Sequence, residues 1–198
     1  MLKFYHAPMS RSSSVLWLME ELGVPYEIEV YDFQKAAAPP PESYRAIQPN
    51  KKFPAIVHDG VAITERAAIT AYLCDTFPQA GLAPPIGDPR RGPYLSWLVY
   101  CDSVIDPCFV AKLQGWTYEA QGVGFGLFED MVRHVTDTLT RQPYATGEAF
   151  TAADIQLGSA VRWGLDATKV LPETPALRAY VDRLQDRPGL KKAMAKGM

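Results

Sequence analysis

Residues 47–73 read IQPNKKFPAIVHDGVAITERAAITAYL, and within them two strands and a helix follow one another with short connections. Ala55 to His58 and Val61 to Thr64 are β-prone runs on either side of Asp59-Gly60. That dipeptide is a strong hairpin signal, because a type I′ turn needs positive φ at both central residues. From about Glu65 to Phe77 the apolar positions Ala68, Ile69, Tyr72 and Leu73 share one face, which predicts a helix with Thr64 as its cap. Pro54 opens the first strand, a place where no ladder donor is needed.

Toward the N-terminus, Leu2 to Tyr5 is a β-prone run. Val15, Leu16, Leu18, Met19 and Leu22 then fall on one helical face, ended by Gly23 and Pro25. Tyr26, Ile28 and Val30 alternate with Glu27 and Glu29, the pattern of a half-exposed strand. Strand, helix and strand with short connections form a βαβ unit, so these two strands should be parallel. Residues 35–49 carry four prolines and predict irregular chain with one helical turn near Glu42 to Ile47. The order βαβ, connection, ββα is thioredoxin-like.

Toward the C-terminus, residues 77–93 hold five prolines and three glycines, the composition of a linker. All that follows reads as helix: Tyr94 to about Gln114 with a bend at Pro107, Phe125 to Leu139, a helix starting at Thr151, and Pro175 to Gln185. Thr151 and Asp154 fit a capping box, and Gly158, Ala160 and Gly164 beyond them permit close packing. The domain expectation is therefore a thioredoxin-like α/β domain over residues 1–78, a linker over 79–88 and an all-α domain over 89–198.

The net charge of −2 and the ordinary apolar content argue against an electrostatic nucleic-acid or anionic-membrane binder. The N-terminus lacks the pattern of a secretory signal and no apolar run approaches membrane-spanning length, so a cytoplasmic location is expected. Cys74, Cys101 and Cys108 form no C-x-x-C pair and read as free thiols in helices. His6, His58 and His134 are too scattered for a metal site, and no metal is expected.

Three segments in this order, "FYHAPMSRSSSVLWLMEELGVPYE", "IQPNKKFPAIVHDGVAITERAAITAYL" and "FTAADIQLGSA", make the chain resemble a cytosolic glutathione transferase over essentially its whole length. The resemblance implies glutathione as co-substrate, activated as a thiolate at the start of the first helix. A free thiol titrates near ~8.5, and lowering that by about two units needs roughly 2.7 kcal/mol of thiolate stabilisation. A hydroxyl donating to an anion supplies about 1.5–3 kcal/mol and a helix N-terminus roughly 0.3–1 more, so no formal positive charge is required.

By the family's spacing Ser10 is the catalytic hydroxyl, with Ser12 the runner-up and Tyr5 a third candidate; Ser12 to Ser14 otherwise read as cap residues. The resemblance makes Pro54 a cis-proline that turns the Phe53 backbone toward the peptide, and places Lys52 by a glutathione carboxylate. Glu65 matches the acid that meets the γ-glutamyl ammonium. Arg66 stands where the family usually has a serine, and a guanidinium can hold a carboxylate through a bidentate contact. The residue that often reaches the glycine carboxylate falls in an Ala/Pro run here, with Lys35 the nearest cation.

The acceptor would meet the first helices of the second domain, where Tyr100, Phe109, Trp116 and Tyr118 are aromatic candidates. The implied activity is conjugation of glutathione to small hydrophobic electrophiles by a serine-type enzyme acting as a homodimer, its interface along the helices after Glu65 and Tyr94. The same fold also carries glutathione-dependent isomerases, dehalogenases and peroxidases, and non-catalytic binding proteins.

Overall fold

The computed structural model describes residues 1–31 and 40–198, so Lys35 lies outside the described residues. The chain divides into two compact units, Met1–Ala80 with Arg187–Met198, and Gly81–Asp186.

In the first unit, β1 (Leu2–His6), β2 (Glu27–Val30), β3 (Ala55–His58) and β4 (Val61–Thr64) form one sheet of order β2-β1-β3-β4. β1 and β2 are parallel, while β3 is antiparallel to both β1 and β4. Asp59 (φ 48°) and Gly60 (φ 85°) make the expected hairpin turn, both with positive φ. Helix α1 (Ser12–Leu22) ends at Gly23, whose φ of 66° suits a residue without Cβ. Helix α2 (Arg66–Thr76) starts later than the sequence suggests. Thr64 pairs with Ala55 and stays in the strand, so Glu65 alone turns the chain into the helix instead of Thr64 capping it.

β2 departs from the alternation read in the sequence. Ile28 is 40% and Val30 51% exposed, because β2 is the sheet edge and those side chains leave the core. The helical turn expected near Glu42 is present over Glu42–Ala46.

The segment after Arg187, placed by the sequence reading with the helical half, packs in the first unit. Its helix α8 (Pro188–Ala195, the numbering following the helices of the second unit below) lies against α1. Arg187 donates through Nε and Nη2 to the two carboxylate oxygens of Glu21, each at 2.8 Å. Trp17 Nε1 donates to the same carboxylate at 2.9 Å. A Cβ at Gly189 would stand 2.5 Å from Glu21 Cγ, so the approach of α8 requires glycine there.

The second unit is helical: α3 (Arg91–Tyr100), α4 (Asp106–Leu113), α5 (Phe128–Arg141), α6 (Ala152–Arg162) and α7 (Pro175–Gln185). Between α3 and α4, Cys101–Ile105 is a π-helical turn. Pro107 explains it: with no N–H and a ring that crowds the carbonyl one turn earlier, the ladder widens rather than continuing as α-helix. The capping box is formed at Thr151, whose N–H donates to Asp154 Oδ2 at 2.9 Å. Gly164 meets Leu171 and Phe109 so closely that a Cβ would stand 2.6 Å from Leu171 Cδ1. Among the described residues no helix is long and apolar enough to cross a membrane.

Candidate active site

The register gathers three of the sequence-selected positions. Tyr5, Ala55 and Thr64 lie in one row across β1, β3 and β4. From that row β1 runs out through His6 to the Ala7–Arg11 turn, β3 is preceded by the cis Phe53–Pro54 bond, and β4 is followed by Glu65. Ser10, Pro54 and Glu65, up to 55 positions apart in the chain, therefore belong to the same end of one sheet.

The serines divide differently from the sequence reading. Ser10 is half-buried, and its Oγ accepts the N–H of Ser12 at 3.1 Å while its carbonyl accepts that of Ser13 at 3.0 Å. Ser10 thus caps the first N–H of α1 from the residue before Arg11, where the helix begins. Its hydroxyl lies 2.7 Å from Ala7 O and 2.8 Å from Ser12 Oγ. Ser12 is fully buried and faces backward to the strand end: its Oγ accepts the Ala7 N–H at 3.0 Å, lies 3.0 Å from Ala7 O, and lies 2.8 Å from His6 Nδ1. Ser14 donates to Arg11 O at 3.0 Å. Of the two serine candidates, Ser10 alone has exposed surface.

Tyr5 is 6% exposed and belongs to an aromatic cluster with Tyr44, Phe53 and Tyr31. Tyr44 and Phe53 stack at 4.9 Å with 13° between ring planes, and Tyr44 donates to Lys52 O at 3.0 Å. The Lys52 N–H donates to Gln48 Oε1 at 3.0 Å, which fixes the chain leading to Pro54 and leaves the Lys52 side chain exposed. Lys51, by contrast, pairs with Glu42 at 3.2 Å.

Glu65 is exposed and takes φ 66°, ψ 120°, a conformation that L side chains avoid. Arg66, which opens α2, is 6% exposed.

Of the acceptor candidates, Tyr100 borders a surface depression of about 470 Å³ with Leu95, Ser96, Val99 and Ser103. Burial pushes its phenol up to about 12, and its ring meets Trp97 and His134 edge-on at 5.4 and 5.1 Å. Phe109 is 4% exposed and packs on Phe128 in the core of the helical unit. Trp116 is exposed, and Tyr118 lies edge-on to Phe125 at 5.2 Å. His6 is the member of the serine network that residue spacing did not reveal. Its one signal was position, immediately before the turn that carries Ser10.

A thioredoxin-like sheet unit followed by an all-helical unit defines the class, and comparison with known proteins agrees. Residues 1–75 match the family described as "Glutathione S-transferase, N-terminal domain", and residues 123–197 match "Glutathione S-transferase, C-terminal domain". The chain belongs to the glutathione S-transferase family. It is 24% identical to the glutathione S-transferase GstA of Escherichia coli O157:H7, with 98% of each chain covered. It is 26% identical to the disulfide-bond oxidoreductase YfcG of Escherichia coli strain K12, covering 99% of this chain and 95% of that one. The solved glutathione S-transferase of a sphingomonad, in complex with glutathione, superimposes with a TM-score of 0.81 at 26% identity, covering 98% of each chain.

Proposed function

We propose that the chain binds glutathione at the end of the sheet where Ser10, Pro54 and Glu65 gather, and joins its thiolate to small hydrophobic electrophiles. The observation that carries this reading is the Ser10 hydroxyl: half-exposed, at the head of α1, and held by the Ser12 N–H through a lone pair rather than through its proton. Among the described residues, a bound sulfur competes with Ala7 O and Ser12 Oγ for that proton. Lys52 and Glu65, both exposed beside the same turn, meet a carboxylate and the γ-glutamyl ammonium, with the Phe53 backbone alongside the peptide and Arg66 at the γ-glutamyl carboxylate. Tyr100 faces the acceptor, and no metal takes part. The chain works as a homodimer along α2 and α3, where Tyr72 on α2 is exposed, in the cytoplasm, where glutathione is kept reduced.

Calorimetric titration with glutathione and turnover of an aryl halide test the proposal. Ser10→Ala should lower kcat/KM at neutral pH by roughly ten- to a hundredfold, the value of one hydrogen bond to an anion. Unchanged turnover in that variant overturns the assignment of Ser10, and no binding at millimolar glutathione overturns the reading as a whole.

A further inference from the structure

His6 has no exposed surface, and its Nδ1 lies 2.8 Å from the equally buried Ser12 Oγ, which lies 2.8 Å from Ser10 Oγ. Three side chains thus run in line from the interior to the one hydroxyl that reaches the surface. We propose, taking Ser10 as the thiolate donor, that His6 is a positioning residue: it holds a proton on Nδ1 and donates it to Ser12 Oγ, so that the Ser10 proton is released to the sulfur.

Counting donors and acceptors leads to this. Ser10 and Ser12 each have one hydroxyl proton, and both hydroxyls lie within hydrogen-bond distance of the same acceptor, Ala7 O. When Ser10 turns its proton to a thiolate, Ser12 must supply Ala7 O. Ser12 Oγ already accepts the Ala7 N–H and has one lone pair left. A proton on His6 Nδ1 fills that lone pair, and the Ala7 N–H, Ala7 O and Ser12 Oγ are then all satisfied.

With Nδ1 bare, Ser12 has one proton for two buried acceptors, Nδ1 and Ala7 O. One of them is stranded whenever Ser10 leaves Ala7 O, at a cost on the order of tenfold in the population of the thiolate-bound arrangement. Burial pulls the imidazole below its usual value, with the Gly197 backbone opposing, so a neutral ring with a single proton to place is favoured. Nε2 makes no well-formed hydrogen bond among the described residues, so the Gly197 backbone competes only weakly with Ser12 Oγ for that proton.

The wild-type protein in complex with glutathione supplies the first measurement: nitrogen NMR shifts of the His6 ring should report a protonated Nδ1. The second is the pH titration of bound thiolate by its ultraviolet absorbance. His6→Phe should raise the bound thiol's pKa by about half to one unit and lower kcat/KM at neutral pH by about three- to tenfold, with KM for glutathione unchanged and the rate recovered at high pH. His6→Asn, whose side-chain amide can place an N–H where Nδ1 stands, should restore most of both. A ring protonated only on Nε2 in the complex, or a titration that His6→Phe leaves unmoved, overturns the role of His6 alone. No bound thiolate in wild type overturns the reading of Ser10 and this role with it.

Discussion

Replacing Asp154 with alanine should be among the most damaging single changes to the helical unit. The carboxylate has no exposed surface. Oδ1 accepts the Ala145 N–H at 2.7 Å and the Tyr180 O–H at 2.9 Å, and Oδ2 accepts the Thr151 N–H at 2.9 Å. Ala145, Thr151 and Tyr180 are themselves buried, so alanine removes the acceptor of four donors, the fourth being the Thr151 hydroxyl 3.3 Å from Oδ2, which can rotate to suit. Each stranded donor costs about 1–3 kcal/mol. The Tyr180 hydroxyl can fall back on Asp154 O, 3.4 Å away, which leaves two backbone donors stranded and a total near ~3–5 kcal/mol. For a chain of this size that corresponds to a fall in Tm of roughly 6–20 °C. Urea unfolding followed by tryptophan fluorescence reads it directly. Asp154→Asn should cost about half as much, because one oxygen remains an acceptor while the amide nitrogen faces a donor. A loss below about 1 kcal/mol for Asp154→Ala would refute the reasoning, since at least two buried N–H groups would then be stranded at no cost.

Two further changes probe the sheet unit. Glu65→Gly relieves a backbone conformation that costs about 1–3 kcal/mol, against about 0.5–1 kcal/mol of added unfolded-chain entropy, so stability should rise by about 1 kcal/mol while glutathione affinity falls. A stability loss in urea titration, or unchanged affinity by calorimetry, would contradict it. Glu20 is the second: burial alone would raise its pKa, but hydrogen bonds from Lys196 and Tyr26 outweigh that and hold it below the ordinary value of 4.5. A depressed folded pKa gives stability that is complete above the unfolded pKa and is lost as pH falls through the folded one. Glu20→Gln should therefore cost about 1 kcal/mol at neutral pH, discounted because Lys196 is half exposed, and flatten the decline of stability below pH 4.5. Parallel pH curves for variant and wild type would exclude this.

The βαβ and ββα order was legible because each part rests on local rules: Asp59-Gly60 admits few turns, and the Val15–Leu22 face has a helical period. What escaped depends on partners far along the chain. Helix α8 spans eight residues rich in lysine, and its place is set by Glu21 receiving Arg187 across 166 positions. Ile28 and Val30 alternate as a half-buried strand should, yet period alone does not say whether a strand lies at an edge. Phe109 shows the same limit: an aromatic at helical spacing serves core and pocket alike, and here it fills the space beside Gly164.

The serine cluster is where local and distant information divide most sharply. Four serines before an apolar helix suggest caps, and the sequence pattern gives that role to Ser12, Ser13 and Ser14. The structure gives the cap to Ser10, the residue singled out for chemistry, and turns Ser12 away from the helix toward His6. Capping and the thiolate stabilisation proposed for Ser10 do not compete, because the first draws on an oxygen lone pair and the second on the hydroxyl proton. Fixing the lone pair to the Ser12 N–H in fact narrows where the proton can point. A helix cap at this turn therefore orients the hydroxyl before any ligand arrives, and what remains to be arranged is which acceptor releases the proton. In the proposed site that choice lies with Ser12 and His6, neither of which could be placed without the strand end they share.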